Sequence, residues 1–113
     1  VVAHVLTDAA RGGQHVAHVG RAVFVRRRAH RDELQRAEAH ALWEGIADAS
    51  RFYFVHSYYV EAGEPALVAA FSVYGFPFTC AVAKDNIFAV QFHPEKSAQS
   101  GLALLGNFMR WNP

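Results

Sequence analysis

Short runs of β-branched and aromatic residues dominate the second half of the chain, and turn-forming residues separate them. Such runs predict strands, because branched and aromatic side chains fit a pleated, half-buried surface. The predicted strands are Arg51–Val55, Leu67–Tyr74, Phe76–Ala83 and Ile87–Phe92. In the third run apolar side chains recur at every second position, which places them on one face. These positions are Phe76, Phe78, Cys80 and Val82.

The last two runs are separated by Lys84-Asp85-Asn86. Asp and Asn tolerate a left-handed backbone and bond to their own main chain, so this segment predicts a turn. The two flanking strands are therefore expected to pair as a β-hairpin.

Helical spacing of apolar residues predicts a first helix from Asp32 to about Trp43. Asp32 is a suitable N-cap, and Gln35 lies in the capping-box position three residues later. The apolar positions are Leu34, Ala37, Ala41 and Leu42.

A second helix is predicted to begin at Ser97 as its N-cap, with an apolar stripe of Leu102, Leu105 and Met109. Gly101 and Gly106 lie inside it, and each costs about 1 kcal/mol relative to alanine. Close packing against a sheet would explain their presence.

Residues 1–31 carry little pattern beyond a short possible strand at Val23–Val25. The order of helix, strands, hairpin and helix predicts an α/β fold.

Composition excludes several classes of protein. The 113 residues suit one small domain, and 52% apolar residues favour a packed core over disorder. A net charge of +1 gives no indication of nucleic-acid or membrane partners. One cysteine allows no intrachain disulfide, which suits a reducing, cytoplasmic location. The first residues resemble neither a signal peptide nor an initiation site, so they are expected to be an interior point of a longer chain.

The segment from Gln91 to Ser97 holds the most suggestive chemistry. Pro94 favours an extended His93, and in an extended segment His93 and Glu95 project to the same side. A carboxylate beside an imidazole selects its tautomer and stabilises the imidazolium, as a general base requires. From the spacing alone, two ordinary surface residues are the favoured interpretation.

Metal and nucleic-acid sites have weaker support. His15 and His18 are three apart, but the sequence has no His-Glu-x-x-His motif and too few cysteines for a zinc cluster. We therefore expect no metal. The Arg26–Arg28 run lacks interleaved aromatic residues, so a solvated basic segment is favoured over a phosphate site.

Three sequence segments resemble those of a known family: LWEGI at 42–46, RFYFVHSYY at 51–59 and AVAKDNIFAVQFHPEKS at 81–97. They resemble the C-terminal half of a flavodoxin-like class I glutamine amidotransferase domain. Within that family they are most similar to the glutaminase subunits of imidazole glycerol phosphate synthase. The resemblance is strong over residues 42–111 and weak over residues 1–31, and the whole chain is interpreted as part of one domain.

The resemblance implies a role for several residues. His93 and Glu95 match the second and third members of a Cys-His-Glu triad that hydrolyses glutamine and supplies ammonia to a synthase barrel in histidine biosynthesis. Ser57 and Tyr58 match glutamine-binding positions. At the interface with the barrel the matching positions are Tyr53 and Lys96, while Arg21 replaces a family tryptophan. The reaction requires no cofactor.

The family nucleophile lies in a Gly-x-Cys-x-Gly elbow, and this sequence contains no such motif. Cys80 lies within a predicted strand between Thr79 and Ala81, so it is interpreted as a core residue that reacts slowly. Two alternatives to a glutaminase half stay open: a catalytically incomplete fragment that acts as an interaction module, and another class I amidotransferase.

Overall fold

The computed structural model describes the backbone of residues 4–7 and 20–113, and the side chains of residues 29–55 and 59–113. The strands are β1 His4–Thr7, β2 Gly20–Glu33, β3 Gln35–Arg36, β4 Arg51–Ala62, β5 Val68–Val73, β6 Pro77–Lys84 and β7 Ile87–Val90. The helix α1 is Ala98–Arg110, and short 3₁₀ turns are formed by Ala41–Trp43, Pro65–Leu67 and Pro94–Lys96. The α/β class predicted from the sequence is confirmed.

The larger sheet has the strand order β1-β7-β6-β5-β3, and all of its neighbouring strands are antiparallel. Ala81 pairs with Val90 and Lys84 with Ile87, which confirms the predicted hairpin. Asp85 has a φ of 52°, the left-handed conformation that the turn requires. Phe76 precedes β6 and is exposed, so the predicted apolar face of this strand begins at Phe78.

The predicted helix from Asp32 to Trp43 is wrong. Its first residues belong instead to β2, which pairs with β4 in a two-stranded antiparallel ribbon that includes Arg31 opposite Tyr53. Leu34 is fully buried. Its backbone N–H donates to the Ser50 carbonyl, and its carbonyl accepts from the Ala49 N–H. Tertiary pairing with a long partner strand has overridden a local capping pattern, as it commonly does.

Only the end of that segment is helical, as the 3₁₀ turn Ala41–Trp43. The turn is capped by His40, whose Nδ1 accepts a hydrogen bond from the Leu42 N–H at 3.1 Å. Leu42 and Trp43 are both buried. The apolar spacing that suggested one helix therefore comes from two separate parts of the fold. Leu34 lies between β2 and β3, Leu42 lies in the 3₁₀ turn, and both are buried in the core.

The core lies between the larger sheet, the ribbon and α1. Fully buried aromatic side chains fill it, and Phe52 lies against Phe92 with ring centroids 4.3 Å apart. Phe54 meets Phe92 and Phe78 edge-on at 5.8 and 5.7 Å. Because Phe92 directly precedes His93, this packing fixes the start of the segment that carries His93 and Glu95.

Helix α1 begins where predicted, but a different face is buried. Leu102 and Met109 of the predicted stripe are 62% and 82% exposed. The buried face is formed by Gly101, Leu104 and Asn107. A glycine and an asparagine do not score as apolar, and this explains why the pattern pointed to the neighbouring face.

Gly101 and Asn107 show why this face is buried. A Cβ added at Gly101 would lie 1.8 Å from the carbonyl oxygen of Pro94, so this glycine does pack closely, but against the 3₁₀ turn Pro94–Lys96 and not against a sheet as predicted. The Asn107 side-chain amide donates to the carbonyls of Leu42 and Glu44 at 2.8 and 2.7 Å. At Gly106 the nearest atom to an added Cβ is 3.6 Å away, an ordinary contact, so close packing does not explain that glycine.

Among the described residues, no helix has the length and apolar character to cross a membrane.

Candidate active site

The candidate site lies directly after β7, on the segment His93-Pro94-Glu95-Lys96-Ser97. His93 has an extended backbone with φ of −100° and ψ of 100°. This is the conformation that the following proline favours. Pro94 then starts a single 3₁₀ turn that ends before α1, so the chain presents His93 and Glu95 on one short, constrained loop.

The imidazole of His93 and the carboxylate of Glu95 are in direct contact, with Nδ1 and Oε1 2.8 Å apart. An ionised carboxylate only accepts hydrogen bonds, so this contact places the proton of a neutral imidazole on Nδ1. The other nitrogen, Nε2, is then the basic one. The two side chains are 23% and 53% exposed, so the contact selects a tautomer and stabilises the fold little.

Strand β4 holds the His93 backbone in place through one residue, Tyr53. The His93 N–H donates to the Tyr53 carbonyl at 2.9 Å. The Tyr53 N–H donates to Ser97 Oγ at 2.9 Å, and the Ser97 hydroxyl donates to the His93 carbonyl at 2.6 Å. Three bonds therefore tie His93, Tyr53 and Ser97 into one closed set.

Ser97 was predicted as the N-cap of α1, and it does lie at that position. Its side chain makes no capping hydrogen bond, however, so the predicted capping function is wrong. The hydroxyl is used by Tyr53 and His93 instead. No sequence pattern indicates this role, because the two partners are backbone groups that only the tertiary fold brings near.

Two cationic side chains lie over the Tyr53 ring. Lys96 Nζ is 5.8 Å from the ring centroid and the Arg31 guanidinium carbon is 5.9 Å from it. Arg31 also donates to the Lys96 carbonyl at 3.1 Å. The His93 ring is 6.2 Å from the same tyrosine. The structure thus brings Tyr53 and Lys96 together beside His93, and it adds Arg31, which sequence reasoning missed.

The two predicted glutamine-binding residues, Ser57 and Tyr58, lie in β4, where Tyr58 pairs with Phe24. Ser57 is four residues beyond Tyr53, which corresponds to about 13 Å along a strand. Their side chains are outside the described residues. Arg21, expected at the altered partner interface, lies in β2 opposite Glu61, and its side chain is likewise outside that set.

Cys80 is a core residue, as predicted. It is 2% exposed, lies in β6 and packs within the main hydrophobic cluster. Burial raises the pKa of the Cys80 thiol far above its ordinary value, because a thiolate would lose its hydration there. A thiol that stays protonated is a poor nucleophile. Within the described residues, no group of three or more metal-ligating side chains is clustered.

Comparison with known proteins matches residues 11–111 to the family described as glutamine amidotransferase class-I. The chain is 68% identical over 78 residues to imidazole glycerol phosphate synthase subunit HisH of Dechloromonas aromatica, a match covering 69% of this chain and 36% of that protein. It is 69% identical over 74 residues to the subunit of the same name from Thiobacillus denitrificans, covering 66% and 32%. The chain thus spans about a third of the length of the curated relatives it matches.

Proposed function

The chain belongs to the class I glutamine amidotransferase family, and from that premise we propose that it carries the His-Glu part of a Cys-His-Glu glutaminase site. The observation that carries the proposal is the 2.8 Å contact between His93 Nδ1 and Glu95 Oε1 on a constrained loop. The 113 residues form part of one amidotransferase domain, and the nucleophilic thiol comes from outside them.

In the proposed reaction His93 is the general base and then the general acid. Its Nε2 removes the thiol proton, and the sulfur attacks the side-chain amide carbon of glutamine. The same proton is delivered to the departing nitrogen as the C–N bond breaks, so that ammonia leaves and a glutamyl thioester stays on the sulfur. Water activated by His93 then hydrolyses the thioester to glutamate and restores the thiol. Glu95 keeps Nε2 basic and stabilises the imidazolium.

Glutamine binding is assigned to Ser57 and Tyr58 on β4. They follow Tyr53 along the strand that also anchors the His93 backbone, which supports a pocket built on the same strand. No cofactor takes part, because the thiol, the imidazole and water supply every group that the hydrolysis needs.

The partner is the synthase barrel of imidazole glycerol phosphate synthase, which receives the ammonia for histidine biosynthesis. Its docking site on this chain includes Tyr53 and Lys96. The position of Arg31 beside them supports a positively charged patch next to the catalytic pair. The assembly combines a hydrolase and a lyase reaction, and the single buried cysteine supports a cytoplasmic location.

A second candidate function is a non-catalytic interaction module. One observation favours it: the single thiol of the 113 residues, Cys80, is buried in the core and so gives them no reactive nucleophile of their own. The third possibility, another amidotransferase of the family, is disfavoured because the relatives quoted above share one subunit name at 68% and 69% identity.

The proposal predicts glutaminase activity when an elbow cysteine is supplied. The remainder of the Dechloromonas aromatica relative, of which the match covers 36%, would be fused to or co-expressed with this chain. Glutamate formation from glutamine is then measured with the synthase partner present. We expect turnover from the assembled pair and none from either part alone.

The matched control replaces the elbow cysteine by serine, which keeps the assembly and removes the thiolate. Turnover that survives this change would mean that another group is the nucleophile. A folded, assembled pair that forms no glutamate would contradict the proposal and favour the interaction module.

A further inference from the structure

The position of Ser97 is unusual for a helix N-cap. It is 1% exposed and stands directly before α1, yet its hydroxyl makes no capping bond to the helix. An N-cap serine normally stabilises a helix through that bond. Here the hydroxyl bonds instead to the backbone of Tyr53 on β4 and to the backbone of the candidate catalytic histidine, His93.

The Ser97 hydroxyl bonds to one backbone group of Tyr53 and one of His93. Its Oγ accepts from the Tyr53 N–H at 2.9 Å and donates to the His93 carbonyl at 2.6 Å. The His93 N–H donates to the Tyr53 carbonyl at 2.9 Å. Both the N–H and the C=O of His93 are therefore fixed relative to β4, one directly and one through Ser97.

This arrangement adds backbone restraints to the packing of the imidazole. The His93 side chain is 23% exposed, and its ring lies 6.2 Å from that of Tyr53. A fixed backbone sets the direction of the Cα–Cβ bond, and the 2.8 Å contact with Glu95 sets the rotation of the ring. Loss of the Ser97 hydroxyl would release the carbonyl of the residue that carries the imidazole.

We propose that Ser97 is a positioning residue: its buried hydroxyl locks the His93 backbone to β4 and so holds Nε2 in the direction needed for proton transfer. This inference rests on the proposed function, since it assigns Ser97 a part in the same site. Ser97 is not proposed as a general base or as a glutamine ligand. Its hydroxyl is buried, accepts from the Tyr53 N–H and donates to the His93 carbonyl.

The test compares Ser97→Ala with Ser72→Ala. Ser72 is a matched control, because it is also fully buried and its hydroxyl donates to a backbone carbonyl, that of Glu33, at 2.7 Å. Both variants lose one enclosed hydroxyl, so both are expected to lose stability. Only Ser97→Ala should change the ¹⁵N chemical shifts of the His93 ring, from one dominant tautomer towards a mixture.

Kinetics of the reconstituted glutaminase supply a second readout. Ser97→Ala should lower kcat about 10- to 100-fold with little change in KM for glutamine, the range expected when a reacting group is misplaced by about 1 Å. Ser72→Ala should leave kcat near the wild-type value. Equal effects of the two variants on kcat and on the His93 tautomer would overturn the positioning role.

A measurement on the unaltered chain keeps the inference testable if Ser97→Ala does not fold. The Tyr53 amide is expected to exchange its hydrogen slowly, because Ser97 Oγ is its acceptor. Exchange as fast as in an unstructured peptide would overturn the inference. The ring and amide measurements need no activity, so an inactive wild-type assembly would count against the proposed function and leave the test of Ser97 intact.

Discussion

Replacement of His93 by alanine in the reconstituted glutaminase is expected to lower kcat by about 10⁴-fold or more, the loss seen when the base of a nucleophile-base-acid triad is removed. The reason is that Nε2 is the only group assigned to move the thiol proton. The loss of kcat in Glu95→Gln should be about one to two orders of magnitude smaller than in His93→Ala, because the base then remains but loses its orienting partner. Glutamate formation at saturating glutamine measures both losses.

The control for this prediction is His40→Ala. His40 is also a partly buried imidazole that accepts a backbone hydrogen bond, from Leu42, and packs against Phe88 at 4.9 Å. It has no assigned part in the chemistry, so its loss should change stability but not the chemical step. If folded His93→Ala, checked by circular dichroism, kept most of the activity, the resemblance would describe the fold alone.

Gly101→Ala is expected to destabilise the fold by about 3 kcal/mol, at the upper end of the usual cost of overpacking. The new Cβ would lie 1.8 Å from the Pro94 oxygen, 2.7 Å from the Pro94 carbonyl carbon and 3.0 Å from Ser97 Cβ. Two of these atoms are backbone, so α1 or the loop after His93 must move. The gain in helix propensity, about 1 kcal/mol, is too small to offset this.

Gly106→Ala is the matched control for Gly101→Ala. It lies in the same helix, and its nearest neighbour would be an Arg110 side-chain nitrogen at 3.6 Å. Here only the propensity term remains, so stability should stay constant or rise by up to about 1 kcal/mol. The free energy of unfolding from denaturant titration compares the two variants. Equal changes would contradict the close approach of α1 to Pro94.

The sequence predicted those parts of the fold in which local preference and tertiary packing agree. The hairpin around Asp85 and the start of α1 after Ser97 are of this kind. The segment from Asp32 to Trp43 is not, because its capping pattern is local, whereas the pairing of β2 with β4 joins residues far apart in the chain. The buried face of α1 was misjudged because Gly101 and Asn107 pack by backbone approach and hydrogen bonding rather than by apolar area.

The candidate site divides in the same way. His93 and Glu95 were predictable as a pair, because a proline between them fixes the local geometry. Arg31 and Ser97 were not predictable as neighbours of the site. Arg31 reaches it only through the pairing of β2 with β4, and Ser97 bonds to backbone groups that leave no trace in the sequence.

Labelling of the reconstituted enzyme by a glutamine analogue that carries a diazoketone tests the central claim most directly. The reagent takes the place of glutamine in its site, where a neighbouring thiolate bonds to the diazo carbon and N₂ leaves, and mass spectrometry of peptides identifies the modified cysteine. We predict one adduct per assembly, on the elbow cysteine, forming much more slowly with His93→Ala and leaving Cys80 unmodified. An adduct on Cys80, or elbow labelling that is equally fast without the His93 imidazole, would contradict the claim that this chain supplies the base of the site.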